Sequence, residues 1–272
     1  MKKKAIDIAH KAYRFSNSWT GTIIIVLFII FFIAQAFRIP SGSMKDSLLV
    51  GDHLFAKKFA YGIPTPHLPF LEIPLVPGTD GHIVDGDEPQ RGDIVIFRYP
   101  NNTQLHYVKR CVGVPGDELF VLDKQLYLHP NEGNEYVEKH YAAEDIKFFA
   151  GKLWVKNPYM KEHPGIHHDQ KIVNDGRYPE PIFNMAPIRV PEGEFFMMGD
   201  NRDHSNDSRF WGTVPYGLVE GTPWFIYFSM DDNWEIRWDR IGKSPTDLEQ
   251  KEYLERAVEE RMRTDKDDYG IY

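Results

Sequence analysis

No charged residue lies between Arg14 and Arg38, and within that window "TIIIVLFIIFFIAQAF" (22–37) is almost wholly apolar. A stretch of that length matches what a helix needs to cross a hydrocarbon core about 30 Å thick. Such a segment constrains everything after it, because the chain on its two sides must lie in different compartments. Lys2, Lys3, Lys4, Lys11 and Arg14 precede the run, and basic residues stay on the cytoplasmic side. The expected layout is a cytoplasmic N-terminus (1–18), a transmembrane anchor (19–37) and an outer portion from residue 38 onward. Trp19 and Phe37 would mark the two interfaces. No second apolar run is long enough to span, so a single-pass protein is predicted. "AQA" (34–36) has the small-x-small form of a leader cleavage site. A retained anchor is the better reading, because the apolar run exceeds a usual h-region.

Beyond Pro40 the pattern is mostly strand and turn. Apolar residues make up 42% of the 272, enough for a real core, and frequent Pro, Gly and aromatic residues suit a β-rich fold. A single cysteine, Cys111, rules out an intrachain disulfide framework. A net charge of −8 argues against a nucleic-acid partner. Residues 62–81 are too rich in proline for a helix or central strand; they read as a loop packed on its own domain, with bilayer contact through Phe70 and Leu71 as the alternative. "RGDIVIFRYP" (91–100) and "LHYVKRCVGVPGD" (105–117) read as strands, the second closed by a Pro-Gly turn. Residues 118–190 read as an inserted β-rich subdomain between two parts of a β core, 38–117 and 191–242. "GTPWFIYFSM" (221–230) and "WEIRWDRIG" (234–242) read as a closing strand pair. In the charged tail, 243–272, Thr246 and Glu249 suggest a capping box for one short surface helix.

"IPSGSM" (39–44) places Ser41 and Ser43 just beyond the apolar run. A serine hydroxyl needs a base, and a lysine can serve if burial lowers its pKa. On a strand, residues of one parity share a face, so Lys109 lies with Leu105, Tyr107 and Cys111, while Arg110 lies with His106, Val108 and Val112. The polar loop "GDNRDHSNDSR" (199–209) fails as an EF-hand starting at Asp203, because Ser208 and Val214 stand where glycine and glutamate are required. A hydrogen-bonded loop that props a catalytic group is the better reading.

"IPSGSM", "RGDIVIFRYP", "YVKRCVGVPGD" and "MMGDNRDHSNDSRFWG", in this order and spacing, resemble the bacterial type I signal peptidases (leader peptidases). The resemblance implies a mainly β, antiparallel signal-peptidase fold with one N-terminal transmembrane helix and a short C-terminal helix. It implies a Ser–Lys endopeptidase without metal or cofactor, cutting exported preproteins after small-x-small sites on the outer face of the membrane. By motif position Ser43 matches the nucleophile and Lys109 the general base, with the Ser43 N–H and the Ser41 hydroxyl as oxyanion donors. Gly42 would let both serines face one point. Ser205 matches a serine that hydrogen-bonds the lysine, and Asp207 and Arg209 a supporting ion pair. Ile39, Met44, Leu48, Tyr107 and Val108 match the S1 pocket, and Leu54 and Ile96 the S3 pocket. The implied partners are signal peptides, the lipid bilayer and, as a further candidate, the secretion translocon. The chain departs from the family at "KDSLL" (45–49), where a proline-threonine pair is usual at 46 and 47, and at His204, where asparagine is common. The second span of some members is missing.

Three rivals compete. A Ser–His–Asp hydrolase would use His106 or His204, but no G-x-S-x-G elbow exists. A metal site at His163, His167 and His168 lacks a motif carboxylate. A membrane-anchored, non-catalytic β assembly or binding module would have no use for Ser43 and Lys109. Self-cleavage after Ala36 is disfavoured, because that bond lies close to Ser43 in sequence.

Overall fold

The computed structural model describes residues 2–68, 73–76, 81–250, 253–255 and 258. Phe70 and Leu71 lie outside them. Helix α1 (Lys2–Ser16) leads into α2 (Trp19–Phe28), whose N-terminus is capped by Ser18 accepting from the Gly21 N–H. A π-helical turn (Ile29–Ile33) follows, and the chain then becomes strand β1 (Ala34–Arg38). The helix expected over 19–37 therefore stops at Ile33. Its helical length is about 22 Å at roughly 1.5 Å per residue, and no helix among the described residues is long and apolar enough to cross a membrane. The physical reason is pairing. Ala34–Arg38 is drawn into an antiparallel ladder with β2 (Asp52–Lys57), from Ala34 opposite Lys57 to Arg38 opposite His53.

Short pairs follow: β3 (Gly62–Pro64) with β6 (His82–Asp85), and β4 (His67–Leu68) with β5 (Ile73–Pro74). β7 (Ile94–Tyr99) and β8 (Asn102–Gly113) form the central hairpin, with Val95 opposite Lys109 and Ile96 opposite Val108. The β-branched and aromatic run of β7 suits a strand buried on both faces. Residues 118–189 contain a five-stranded sheet of β9 (Glu118–Leu122), β10 (Gln125–His129), β11 (Ile146–Phe149), β12 (Lys152–Lys156) and β13 (Met185–Arg189), in the order β11-β12-β10-β9-β13. Helix α3 (Asn134–His140) lies between β10 and β11. The chain returns through β14 (Glu194–Met198), α4 (Ser208–Trp211), β15 (Val214–Pro215) and β16 (Val219–Ser229). The main sheet runs β1-β2-β16-β7-β8-β14-β15, and its pairings are antiparallel.

The expected second closing strand is absent from 234–242. Only a Met230–Ile236 bridge and a 3-10 turn (Trp238–Arg240) occur there. Arg240 turns inward instead, its guanidinium gripping the buried Asp52 carboxylate at 2.6 and 3.0 Å. The C-terminal helix α5 (Pro245–Leu248) begins two residues before the expected cap. Ser244 and Asp247 form the capping box, and Pro245 opens the helix. It buries Leu248 fully and leaves Thr246 exposed.

Candidate functional site

The connection between β1 and β2 carries both serines. Three strands separate β1 from β8 in the sheet, so this connection crosses the sheet to bring residue 43 to residue 109. Ile39, Met44 and Leu48 are buried with Leu54, Ala56, Ile94, Ile96 and Ile226, and that burial holds the crossing in place. Gly42–Met44 is one 3-10 turn. The Ser47 N–H then bonds to the Met44 carbonyl at 3.1 Å, with Lys45 extended (φ −52°, ψ 146°) and Asp46 left-handed (φ 78°). This is type II turn geometry, which requires positive φ at its third residue. A proline at 46, locked near φ of about −65°, could not take this conformation. Gly42 is not sterically required, since an added Cβ would meet only Lys45 Cδ at 3.8 Å. Both serines nevertheless face one point, with Ser41 Oγ and Ser43 Oγ 3.4 Å apart.

Lys109 Nζ lies 2.6 Å from Ser43 Oγ, 3.1 Å from the Val108 carbonyl and 5.2 Å from the Tyr107 ring centroid. The lysine is 4% exposed. Burial pulls its ammonium down from the ordinary 10.5 to about 8, against the opposing pull of the Asp207 and Asp200 carboxylates. A lysine in this state has a neutral fraction at near-neutral pH. Its lone pair can then accept the Ser43 proton while an N–H bonds to the Val108 carbonyl.

The 199–209 loop closes on this pair. The Asn201 N–H donates to the Ser43 carbonyl and its side-chain amide to the Gly42 carbonyl, both at 3.1 Å. Arg110 grips Asp200 at 2.7 and 2.8 Å, and Ser47 donates to the same carboxylate at 2.5 Å. Burial would raise the Asp200 carboxyl, but Arg110 outweighs it and holds the group below the usual range. Burial and Arg209 act in the same opposed way on Asp207, which ends low. Asp207 and Arg209 form a two-pronged pair at 2.8 and 2.9 Å. Ser205 departs from its implied role. Among the described residues the hydrogen bonds of Lys109 go to Ser43 and Val108, and the buried Ser205 hydroxyl bears instead on the Asp207 carboxyl, which it helps hold low. Ser205 packs instead against Gly199, where an added Cβ would lie 2.3 Å from Ser205 Oγ and 2.5 Å from the Ser43 carbonyl oxygen.

Of the seven pocket candidates, Ile39, Met44, Leu48, Leu54, Ile96 and Val108 share one apolar cluster. Tyr107 does not join them. It packs with Phe97 and Cys111 in another cluster and stacks on Tyr99 at 4.7 Å. Sequence reasoning missed Leu248, which is buried in the same apolar cluster. It assigned Glu249 to a capping box with Thr246, whereas Glu249 accepts from Arg110 at 2.5 Å and lies 2.9 Å from His163. Leu248 carries no motif signal, and the capping-box pattern pointed Glu249 to a local role.

The histidines are engaged away from Ser43. His106 pairs with Glu220 at 3.0 Å, and His204 with Asp169 at 3.1 Å. His163, His167 and His168 each meet a different carboxylate, of Glu249, Asp46 and Asp203. Among the described residues, Lys109 is the one basic side chain bonded to Ser43 Oγ.

A family model described as "Signal peptidase, peptidase S26" matches residues 13–228. A Helicobacter pylori (strain ATCC 700392 / 26695) protein called signal peptidase I is 41% identical, over 87% of this chain and 94% of its own length. Its Rickettsia typhi counterpart is 36% identical over 88% of each chain. A crystal structure of an Enterococcus faecalis signal peptidase I aligns with a TM-score of 0.31 at 24% identity, covering 50% of this chain and 97% of that one.

Proposed function

Because the chain belongs to the signal peptidase family, peptidase S26, and is a hydrolase of the type I, signal-peptide-removing class, we propose that Ser43 is its nucleophile and Lys109 its general base. The 2.6 Å contact between Ser43 Oγ and a buried lysine amine carries this reading. In the reaction, neutral Lys109 takes the Ser43 proton as Oγ attacks the carbonyl carbon at the cleavage site. The lysine then gives that proton to the departing amine, leaving an acyl-enzyme. Water, deprotonated by the same lysine, hydrolyses the ester and restores both groups. The Ser41 hydroxyl and the Ser43 N–H hold the developing oxyanion, a role worth about 3 kcal/mol per preset donor. Val108, half-buried over the fully buried Ile96 and Leu54, offers the substrate an apolar wall that favours alanine at the first and third positions before the cut.

Membrane association is general in this family. Ile23, Ile24, Ile25, Val26, Leu27, Phe28 and Ile29 are all exposed, and a lipid bilayer is the natural cover for such a run. In this proposal α2 and the following π turn enter the inner membrane as a single-pass anchor. The basic N-terminus stays in the cytoplasm, and the sheets lie on the outer face, beside the translocon that delivers preproteins.

The test is cleavage of a preprotein carrying an Ala-x-Ala site by the full-length protein in detergent. Mass spectrometry is expected to show a product beginning right after the motif. Substituting leucine for the last alanine is expected to stop cleavage, and Ser43→Ala to abolish it. A well-folded wild type that cuts nothing would bring forward a non-catalytic module. The chain's own "AQA" should survive, because Ala36 is paired with Phe55 in the β1–β2 ladder. Intact-mass analysis of membrane-purified protein is expected to show no species beginning at Phe37.

A further inference from the structure

The nucleophile turn is gripped from three directions. Asn201 holds the carbonyls of Gly42 and Ser43, and Asp200 holds Ser47. The third grip comes from the segment that follows β12. His167 Nδ1 lies 3.1 Å from an Asp46 carboxylate oxygen and 2.9 Å from the Gly165 carbonyl. The Gly165 carbonyl can only accept, so Nδ1 carries a proton and donates to it, with the Asp46 carboxylate oxygen 3.1 Å from the same nitrogen. The backbone of His167 is fixed as well, its N–H donating to the Asp200 carbonyl at 2.9 Å and its own carbonyl accepting from the Arg202 N–H at 3.0 Å. Gly165 packs so closely on the turn that an added Cβ would lie 2.4 Å from Ser47 Oγ.

Asp46 stands three residues after Ser43, is 2% exposed, and has φ of 78°. Burying a carboxylate is costly without partners, and left-handed backbone disfavours any residue with a Cβ. Glycine would satisfy the backbone at neither cost. A carboxylate kept here is therefore explained by what it binds. We propose that Asp46 and His167 are a positioning pair, which docks the 163–168 segment on the nucleophile turn and sets Ser43 Oγ within reach of Lys109. It presupposes Ser43 as nucleophile and Lys109 as base. Met44 and Leu48 in the same turn are anchored independently in the apolar cluster. Loosening the pair should therefore disturb the chemical step and spare substrate binding.

The test is steady-state cleavage by the full-length protein carrying Asp46→Gly, His167→Leu, both together, or His167→Asn, whose amide can replace the Nδ1 donor. Asp46→Gly and His167→Leu are each expected to lower kcat by on the order of tenfold to a hundredfold, with KM within about twofold, since small misplacements of reacting groups are that costly. The double variant should be no worse than the poorer single one, and His167→Asn should recover most of the activity. Unchanged kcat in both single variants, or losses that multiply in the double, would overturn the proposal. If His167→Leu does not fold, Asp46→Gly against His167→Asn decides alone. Ser43→Ala and Lys109→Ala, run in parallel, separate the two claims. Activity in either would sink the dyad itself, whereas dead dyad variants beside fully active Asp46→Gly and His167→Leu would sink the positioning pair alone.

Discussion

Replacing Lys109 with methionine is expected to abolish peptide cleavage, by about 10⁴-fold or more in kcat/KM, and yet to make the protein more stable. Both effects follow from burial. In the wild type, kcat/KM should rise about tenfold per pH unit below the lysine pKa of about 8 and level off above it, as the neutral base becomes fully populated. The stability sign follows from the same depression. Folded Lys109 loses its proton near 8, whereas an unfolded lysine holds it to 10.5. Between these values the unfolded chain binds more protons, so stability rises with pH. Below 8 the folded state bears the full cost of a buried ammonium, on the order of 3 kcal/mol. Lys109→Met should remove that cost at pH 7 and erase the alkaline rise in stability. Urea unfolding of wild type and variant at pH 7 and at pH 10 checks both. A destabilised Lys109→Met would contradict the burial argument, and an active one would send the base assignment back to the histidines.

Asp200→Ala is expected to act in the opposite direction. It takes from Arg110, which is 1% exposed, one of its two carboxylate partners, leaving Glu249 and the Gly92 carbonyl, and removes the acceptor of Ser47. Breaking a buried pair from one side costs about 3–5 kcal/mol when the remaining charge is left alone, and with Glu249 still on Arg110 the loss should lie at or below the lower end of that range, still a large share of a total stability of roughly 5–15 kcal/mol. The carboxyl sits below its ordinary 3.8 in the folded protein. Its contribution is therefore complete above that value and is lost as pH falls through the lower, folded one. Asp200→Asn should flatten this acid limb while retaining more stability than the alanine variant. Thermal unfolding between pH 3 and pH 7 checks it.

What could be read from the sequence, and what could not, divides along a physical line. Strand parity put Lys109 beside Tyr107 and Cys111, and the cation–ring contact with Tyr107 has that same parity. The same parity argument excludes Tyr107 from the cluster of Val108 and Ile96, a conflict present in the sequence itself. Residues within linear motifs could be singled out because local order and spacing carry them. Contacts made over long distances in the chain could not, and Leu248, Glu249 and the Asp46–His167 pair are of this kind. Hydropathy marks where an apolar run ends, but it does not register that Ala34–Arg38 gains more from pairing with β2 than from extending a helix. Ser205 is a finer case. Its place in the loop was legible, but the hydroxyl's hydrogen-bond geometry depends on packing against Gly199.

The crossing between β1 and β2 also bears on the timing of folding. Ser47 bonds to Asp200 across a sequence separation of 153 residues, and Asp52 to Arg240 across 188. Contacts of such high order form slowly, because closing long loops costs entropy before any bond rewards it. While the chain is still emerging, Ser43 has neither the 199–209 loop nor α5 against it. The site thus stays incomplete through most of the chain's synthesis and is assembled only once the 199–209 loop and α5 have been made.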